Sequence, residues 1–293
     1  MTLSDNFHKL LADTDKRPEA VKDAVELVMN APDTNERAGL MALMYHEGIG
    51  VDIDLDKCFE LACKAAFEGH DGLGYFLIGY MCDNAETPKH TEGGSGQKYN
   101  RNDAKRFYEA CSEIDCRWRE EAVIWLGDYY MNPVQGNNPE TAVKYYESIA
   151  DVNAKAACRL SDYYWELINP EAPLENQDMA SRLFKWTSVA ASRHPEEYAF
   201  RLGSLYTCGI GCILDFERAI DLFEEAYEYG DWRGAQAIAA TLAEYLNDNP
   251  EISAEERNQI ECNIEQWIDW AEEMRQQGLL DDPEEQDCSI EED

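Results

Sequence analysis

Residues 41–69 and 202–230 are two copies of one pattern, and this pattern decides the fold. The first copy reads "MALMYHEGIGVDIDLDKCFELACKAAFEG" and the second reads "LGSLYTCGIGCILDFERAIDLFEEAYEYG". A tyrosine, two glycines and an aspartate recur at aligned positions. The aligned pairs are Tyr45 and Tyr206, Gly48 and Gly209, Gly50 and Gly211, and Asp54 and Asp215. Internal similarity of this kind indicates a repeat protein.

The Gly-x-Gly element allows two interpretations, a catalytic or phosphate-binding loop and a corner between two helices. His46 and Glu47 precede the first Gly-x-Gly and could act in acid–base chemistry or bind a metal. The second copy has Thr207 and Cys208 at these positions, so the pair does not recur. Glycine tolerates a positive φ, and a lone Gly-x-Gly without a preceding strand is a weak phosphate signal. The sequence therefore predicts a helical-hairpin corner, with His46 and Glu47 as ordinary groups at a helix end.

Weaker copies of the pattern lie between residues 69 and 202 and also follow residue 230. Each begins with an apolar anchor, and the anchors are Met41, Ile78, Leu126, Leu160, Leu202 and Ile238. Apolar residues at three- and four-residue spacing in two segments predict two helices per copy. The small residue after each anchor lets the two helices approach closely. Since one such hairpin cannot bury its apolar face alone, the copies are expected to stack.

The repeated pattern resembles the Sel-one-like repeat family, whose members are relatives of tetratricopeptide repeats. The shared motif is Leu-Gly-x-x-Tyr-x-x-Gly-x-Gly, followed by an aspartate, a basic residue and an alanine, and then by Ala-Ala-x-x-Gly. The resemblance extends from about Arg37 to Leu246. It implies an all-α, right-handed α-solenoid of about six helix-turn-helix repeats that serves as a protein-binding scaffold. It implies no catalytic residue and no cofactor.

The ends of the chain are expected to cap the repeats. We assign residues 1–36 to N-terminal capping helices, 37–250 to the solenoid, 251–280 to a C-terminal capping helix and 281–293 to an acidic disordered tail. The tail assignment rests on eight acidic residues and no basic residue after position 280.

The predicted C-terminal helix has a start signal, a stop signal and an apolar stripe. Ser253 and Glu256 have the spacing of a capping box, and Gly278 is the expected end. The stripe, which could seal the last repeat, consists of Ile260, Ile264, Trp267, Ala271 and Met274.

The charge of the chain limits its partners. Sixty acidic against 25 basic residues give a formal net charge of −35. Such a surface repels nucleic acid and anionic lipid, so these are not expected as partners, and it favours a basic protein. The alternative is that the acidity serves solubility alone.

The sequence favours a cytoplasmic protein. The N-terminus has no apolar signal segment, and no run of about 18 apolar residues is present to span a membrane. Ten cysteines are then expected to be reduced, and their spacing is not that of a structural zinc site. No metal is therefore expected.

Nothing in the sequence favours an enzyme. The histidines are scattered singly, at His8, His46, His70, His90 and His194. The signatures of zinc proteases, serine hydrolases and P-loop proteins are all missing. Two long loops, residues 83–100 and 169–178, are either insertions or binding loops.

Helical geometry predicts a candidate binding face. The anchor and the residue four positions later share one face and are expected in the core, Tyr130 and Tyr164 included. Positions two before, two after and five after the anchor lie on a neighbouring face, which in tetratricopeptide-like stacks lines the concave groove. This face, called the first-helix face below, contains Phe76, Tyr80, Asp83, Asp128, Met131, Asp162, Trp165, Phe200 and Ser204.

The composition of the first-helix face suits a basic partner. Its aromatic residues are expected to anchor the partner, and its carboxylates, expected to be solvated, to steer it. The alternative is that some of these residues pack against the next repeat.

Two functions follow from the sequence. The first is a non-catalytic scaffold or adaptor that binds a basic protein in its concave groove. The alternative is an immunity or inhibitor protein that neutralises a basic toxin or nuclease, with its acidity mimicking nucleic acid.

Overall fold

A computed structural model describes residues 2–12, 18–88, 100–168 and 176–281, and none of these residues lies in a β-strand. The chain forms two compact units, Met1–Ile149 and Ala150–Asp293. Several sequence predictions concern positions outside the described residues. These are His90, most of the loop over residues 83–100, most of the loop over residues 169–178, and the acidic tail after residue 281.

The first unit contains eight described α-helices that pack as consecutive pairs. A π-helical turn, Lys64–Glu68, extends the fourth helix. The α-helices are α1 (Leu3–Ala12), α2 (Pro18–Asn30), α3 (Asn35–Glu47), α4 (Leu55–Cys63), α5 (Gly72–Asp83), α6 (Arg101–Ser112), α7 (Arg119–Met131) and α8 (Pro139–Glu147).

The second unit contains six described α-helices with the same pairwise packing. They are α9 (Ala154–Leu167), α10 (Gln177–Ala191), α11 (Pro195–Cys208), α12 (Phe216–Glu228), α13 (Trp232–Asp248) and α14 (Ala254–Asp281). The hairpins that begin at α3, α5, α7, α9, α11 and α13 carry the six predicted anchors, one in each first helix.

The two Gly-x-Gly elements are corners between helices, as predicted. Gly48 and Gly50 have φ values of 69° and 68°, and Gly209 and Gly211 have values of 62° and 73°. These angles lie in the left-handed region, where a side chain would be strained. The glycines therefore recur because the backbone of the corner requires them.

The recurring aspartates begin the second helix of each copy. The Asp54 carboxylate accepts a hydrogen bond of 3.0 Å from the backbone N–H of Lys57, and Asp215 accepts one of 2.9 Å from Arg218. The backbone N–H of Asp54 in turn donates to the carbonyl of Tyr45, at 3.0 Å. The aspartate thus satisfies an N–H group that the first turn of a helix leaves without a partner.

The small residues after the anchors allow close helix packing, also as predicted. A Cβ atom on Gly127 would lie 2.3 Å from the Tyr146 ring of the paired helix, and one on Gly203 would lie 2.6 Å from the Phe223 ring. Such distances are far shorter than van der Waals contact. Glycine thus makes room for an aromatic side chain from the second helix of the hairpin.

The anchors form the core of each hairpin. Ile78, Leu126, Leu160 and Ile238 are completely buried, and Leu202 is nearly so. Met41 is only partly buried, and it packs against the core of the first unit.

Two predictions about local structure are wrong. Tyr130 is partly exposed, and its ring stacks on the partly exposed Tyr145 with the ring centroids 5.8 Å apart, while Tyr129 takes the buried position. The C-terminal helix continues through Gly278 to Asp281. Gly278 does not adopt the positive φ that ends a helix, so the glycine stays inside it.

No helix in the described part of the chain is both long and apolar enough to cross a lipid bilayer.

Candidate partner-binding surface

In the first unit, Phe76 and Tyr80 of the first-helix face differ in exposure. The Phe76 ring stacks on Trp118, with centroids 4.9 Å apart, and lies 5.6 Å from Tyr108. It therefore belongs to the edge of the core. Tyr80 is 38% exposed, and its ring contacts His46 edge-on at 5.2 Å. Tyr80 is thus open to a partner.

Asp83, at the end of α5, is held by two side chains. One carboxylate oxygen accepts a hydrogen bond of 2.8 Å from the indole N–H of Trp125. The other forms an ion pair of 2.8 Å with Arg101, whose guanidinium lies 5.6 Å from the Trp125 ring. The charge of Asp83 is therefore compensated within the first unit.

Asp128 and Met131 follow on α7. The Tyr146 hydroxyl donates a hydrogen bond of 2.6 Å to the Asp128 carboxylate, and both residues are partly or completely buried. Met131 is the last residue of α7 and is also partly buried. Asp128 thus connects the two helices of its hairpin.

In the second unit, Asp162 and Trp165 lie on α9 and share Arg201 of α11. The Asp162 carboxylate forms an ion pair of 2.7 Å with Arg201 and accepts a hydrogen bond of 3.2 Å from Tyr198. The guanidinium of Arg201 lies 5.1 Å from the Trp165 ring, which is 36% exposed. Burial raises the pKa of Tyr198, as do its hydrogen bond with Cys158 and the nearby Asp162. Tyr198 therefore stays a hydrogen-bond donor.

Phe200 and Ser204 lie on α11, and both are partly buried. The Phe200 ring packs against Phe223 at 5.6 Å, and Arg233 covers it at 4.8 Å. The Ser204 hydroxyl donates to the carbonyl of Phe200, at 2.9 Å. Phe200 is thus part of the core that α11 shares with α12 and α13.

The expectation that the carboxylates of this face are solvated is only partly right, because the Asp162 side chain is 43% exposed but all three carboxylates have partners within the protein. Each of the three, Asp83, Asp128 and Asp162, accepts a hydrogen bond from a tryptophan or tyrosine, and two also pair with arginine. The geometry leaves Tyr80 and Trp165 as the aromatic side chains of the face that remain most open to a partner.

His46 lies between two carboxylates. Its ring nitrogens are 2.6 Å from Glu47 and 3.1 Å from Glu86, which follows α5. These contacts tie the end of α3 to the segment after α5. Within the described residues, no group of three or more histidine, cysteine and acidic side chains is placed to hold a metal ion.

Sequence reasoning missed a groove between α13 and α14, called the terminal groove below. It has a volume of about 430 Å³. Its lining combines apolar residues from one face of each helix with three polar side chains. The lining residues are Trp232, Gln236, Ala239, Ala240, Ala243, Ile264, Ile268, Ala271, Glu272 and Arg275. Ile268, which is 48% exposed and lies outside the predicted sealing stripe, was the available signal in the sequence.

Comparison with known families identifies the repeats. The Sel1 repeat model matches residues 38–70, 120–153 and 197–231, which cover most of the hairpins α3–α4, α7–α8 and α11–α12. The chain thus contains three Sel1 repeats, and the resemblance inferred from the two copies is confirmed. Proteins with these repeats are generally protein-interaction scaffolds.

Solved structures share the fold. A Sel1 repeat protein from Oxalobacter formigenes superposes with a TM-score of 0.51 over 91% of this chain and 96% of its own, at 17% identity. A protective antigen of uropathogenic Escherichia coli, which displays an SLR fold, gives a TM-score of 0.50 at 19% identity. That match covers 89% of this chain and 58% of the antigen, so the chain spans little more than half of the antigen's length. The all-α solenoid class is confirmed. None of the curated proteins matches the sequence.

Proposed function

We propose that the chain is a non-catalytic scaffold that binds a basic protein through its first-helix face. The observation that carries this proposal is the exposure of Tyr80 and Trp165, 38% and 36%, which lie two and five positions after the anchors of their first helices. Large aromatic side chains at the centre of an interface supply much of its binding energy. Sel1 repeats generally mediate protein–protein interaction, which supports the class of function.

The net charge supports the basic character of the partner. At −35, the chain attracts a positively charged protein and repels nucleic acid and anionic membranes. A cytoplasmic location is part of the proposal. The nine described cysteines are free thiols, which suits a reducing compartment.

The domain limits form a further part of the proposal. We propose that α1 and α2 cap one end of the repeats, within residues 1–36, and that α14 caps the other. The Trp267 ring of α14 packs edge-on against Tyr227 of α12, at 5.6 Å, and contacts the core around Phe223. An apolar stripe that covers the last repeat is the expected property of a cap.

Affinity purification with the full chain, followed by measurements on the purified partner, tests the proposal. Trp165→Ala and Tyr80→Ala should each weaken binding by about 2 kcal/mol. Tyr229→Ala is the matched control, because Tyr229 is 56% exposed and lies outside the first-helix face. A large loss of melting temperature in Trp165→Ala with unchanged affinity would place the binding site elsewhere.

The second candidate is an immunity or inhibitor protein, and the charge of −35 favours it, because a dense array of carboxylates can occupy a nuclease site built for phosphates. The same purification separates the two functions. One basic toxin or nuclease held very tightly, and inhibited when bound, supports the inhibitor. Several partners at moderate affinity support the adaptor.

A further inference from the structure

The terminal groove lies between α13, which packs on α12, and α14, the last helix that the structure describes. Within each unit, the second helix of a hairpin is covered by the first helix of the following hairpin. For example, α5 packs on α4, and α13 packs on α12. In the part of the chain that the structure describes, no helix packs in this way on α14. The pair α13–α14 therefore leaves an apolar surface uncovered.

The surface has the pattern of a site for a helix. On α13 the lining residues stand at positions 232, 236, 239, 240 and 243, and on α14 at 264, 268, 271, 272 and 275. Both sets follow the three- and four-residue spacing of one helical face. Each set spans twelve residues, or about 17 Å at the rise of an α-helix, which is the length of about three turns.

The floor and walls of the groove are apolar. Alanines from α13, Ala239, Ala240 and Ala243, leave room at the floor, while Ile264 and Ile268 stand on the α14 side. A complementary helix would carry large apolar side chains one turn apart, which is how amphipathic helices occupy hydrophobic grooves.

One edge of the groove is acidic. Glu261, Glu265, Asp269 and Glu272 form a stripe on α14, called the acidic rim below, which borders the lining face by helical geometry. All four are exposed, and none of their carboxylates has an ion pair or hydrogen bond in the described part of the chain. The whole of α14 contains eight acidic and two basic residues.

Charge decides between the possible occupants. A second copy of the chain would oppose one acidic surface to another. The segment 282–293 of the chain itself contains seven acidic residues and no basic one, so it is repelled as well. Arg275 is the single base in the lining, and its guanidinium lies 5.7 Å from the Trp232 ring at one end of the groove. The acidic rim therefore favours an occupant that carries positive charge.

We propose that the terminal groove binds an amphipathic helix of a partner protein, with large apolar residues on one face and lysine or arginine along its border. The apolar face lies in the groove, and the basic border lies against the acidic rim. Neither Tyr80 nor Trp165 lines the groove, although Gln236, Ala240 and Ala243 hold on α13 the positions that define the first-helix face. The groove can therefore be tested with variants that leave Tyr80 and Trp165 unchanged.

A synthetic peptide tests the groove without knowledge of the partner. The probe is a labelled leucine–lysine amphipathic helix of about fourteen residues, or four turns. A leucine–glutamate peptide with the same apolar face is its counterpart. We expect the lysine peptide to bind in a fluorescence-anisotropy titration at physiological ionic strength and the glutamate peptide to bind at least tenfold more weakly, because the rim repels it.

Ala240→Glu and Ala254→Glu form the decisive pair of variants. Both place the same acidic residue at an exposed helical position, but only Ala240 lines the groove. If the peptide were held by charge alone, both variants would bind it as tightly as the native chain or more tightly. The groove predicts instead that Ala240→Glu weakens binding about tenfold, as a carboxylate in an apolar contact does, while Ala254→Glu does not.

A second pair of variants tests the groove independently, in case Ala240→Glu loses binding because it folds poorly. Ile268→Ser removes an apolar wall of the groove, and Ile213→Ser makes the same change at a residue that is 88% exposed in a corner loop. Loss of binding in Ile268→Ser alone, with helicity unchanged in circular dichroism, supports the proposal. Equal affinities across either pair, equal binding of the two peptides, or no binding of the lysine peptide would overturn it.

Discussion

The first-helix face and the acidic rim carry the same kind of group in opposite situations. On the first-helix face, Asp162 is engaged by Arg201 at 2.7 Å and by Tyr198 at 3.2 Å. On the rim, the carboxylates of Glu265 and Asp269 are exposed and have no such partner in the described residues. A net charge of −35 therefore does not say which carboxylates are free to meet a partner. Engaged carboxylates hold the fold, and the unengaged ones are available for recognition.

Two thiols of the first unit also differ in whether they have hydrogen-bond partners. The largest expected effect is the difference in their rates of alkylation. A hydrogen bond from Cys111, together with backbone N–H groups of Trp118 and Arg119, lowers the pKa of Cys116. Burial raises the pKa of Cys63 to about 11. Since the thiolate is the reactive form, Cys116 should react with iodoacetamide at neutral pH about a hundredfold faster than Cys63.

Peptide mass spectrometry across pH checks this prediction. The rate at Cys116 should level off above its pKa, while the rate at Cys63 should still rise at pH values where Cys116 has become constant. Cys111→Ala, which removes the hydrogen-bond donor, should shift the Cys116 profile to higher pH. Equal rates at the two thiols near neutrality, or no shift in Cys111→Ala, would show that Cys116 is not activated in this way.

The next effect concerns aromatic and apolar side chains on the two surfaces. Phe200 packs against Phe223 in the core, so Phe200→Ala should lower the free energy of unfolding by about 3 kcal/mol. Ile268 is 48% exposed in the terminal groove, and Ile268→Ala should cost about 1 kcal/mol or less. Urea denaturation followed by circular dichroism measures both. Similar losses in the two variants would mean that the groove is as much a part of the core as Phe200 is.

A smaller effect separates the carboxylates. Asp162→Ala should destabilise the fold by about 1 kcal/mol, because it leaves Arg201 and Tyr198 without their shared acceptor, and the exposure of the pair limits the loss. Glu265→Ala, the rim control, should leave stability unchanged or raise it slightly, since it removes repulsion between like charges. Thermal unfolding of both variants at low salt makes the comparison. A larger loss in Glu265→Ala would refute the distinction between the two surfaces.

The corners of the repeats could be predicted from sequence because their chemistry is local. Gly48 and Gly50 serve a backbone conformation that few other residues adopt, and Asp54 caps the helix that begins after it. Each requirement is met within a few residues of chain. Two aligned copies were therefore enough to reveal it.

The engagement of the carboxylates depended on residues far along the chain. Asp162 meets Arg201, 39 positions later, and Asp83 meets Trp125, 42 positions later. Helical spacing predicted that these aspartates share one face, but it could not tell which side chain of the next hairpin reaches them. The terminal groove escaped sequence reasoning for a similar reason, because it depends on how α13 and α14 pack and on the lack of a further helix against them in the described part of the chain.

The salt dependence of binding of the leucine–lysine peptide tests the distinction most directly. Glu265→Gln with Asp269→Asn removes two charges from the acidic rim, and Asp128→Asn with Asp162→Asn removes two from the first-helix face. We predict that the rim variant binds about threefold to tenfold more weakly at low ionic strength and loses much of its salt dependence. The first-helix variant should bind as the native chain does but melt at a lower temperature. Weakened binding in the first-helix variant, with native affinity in the rim variant, would contradict the account.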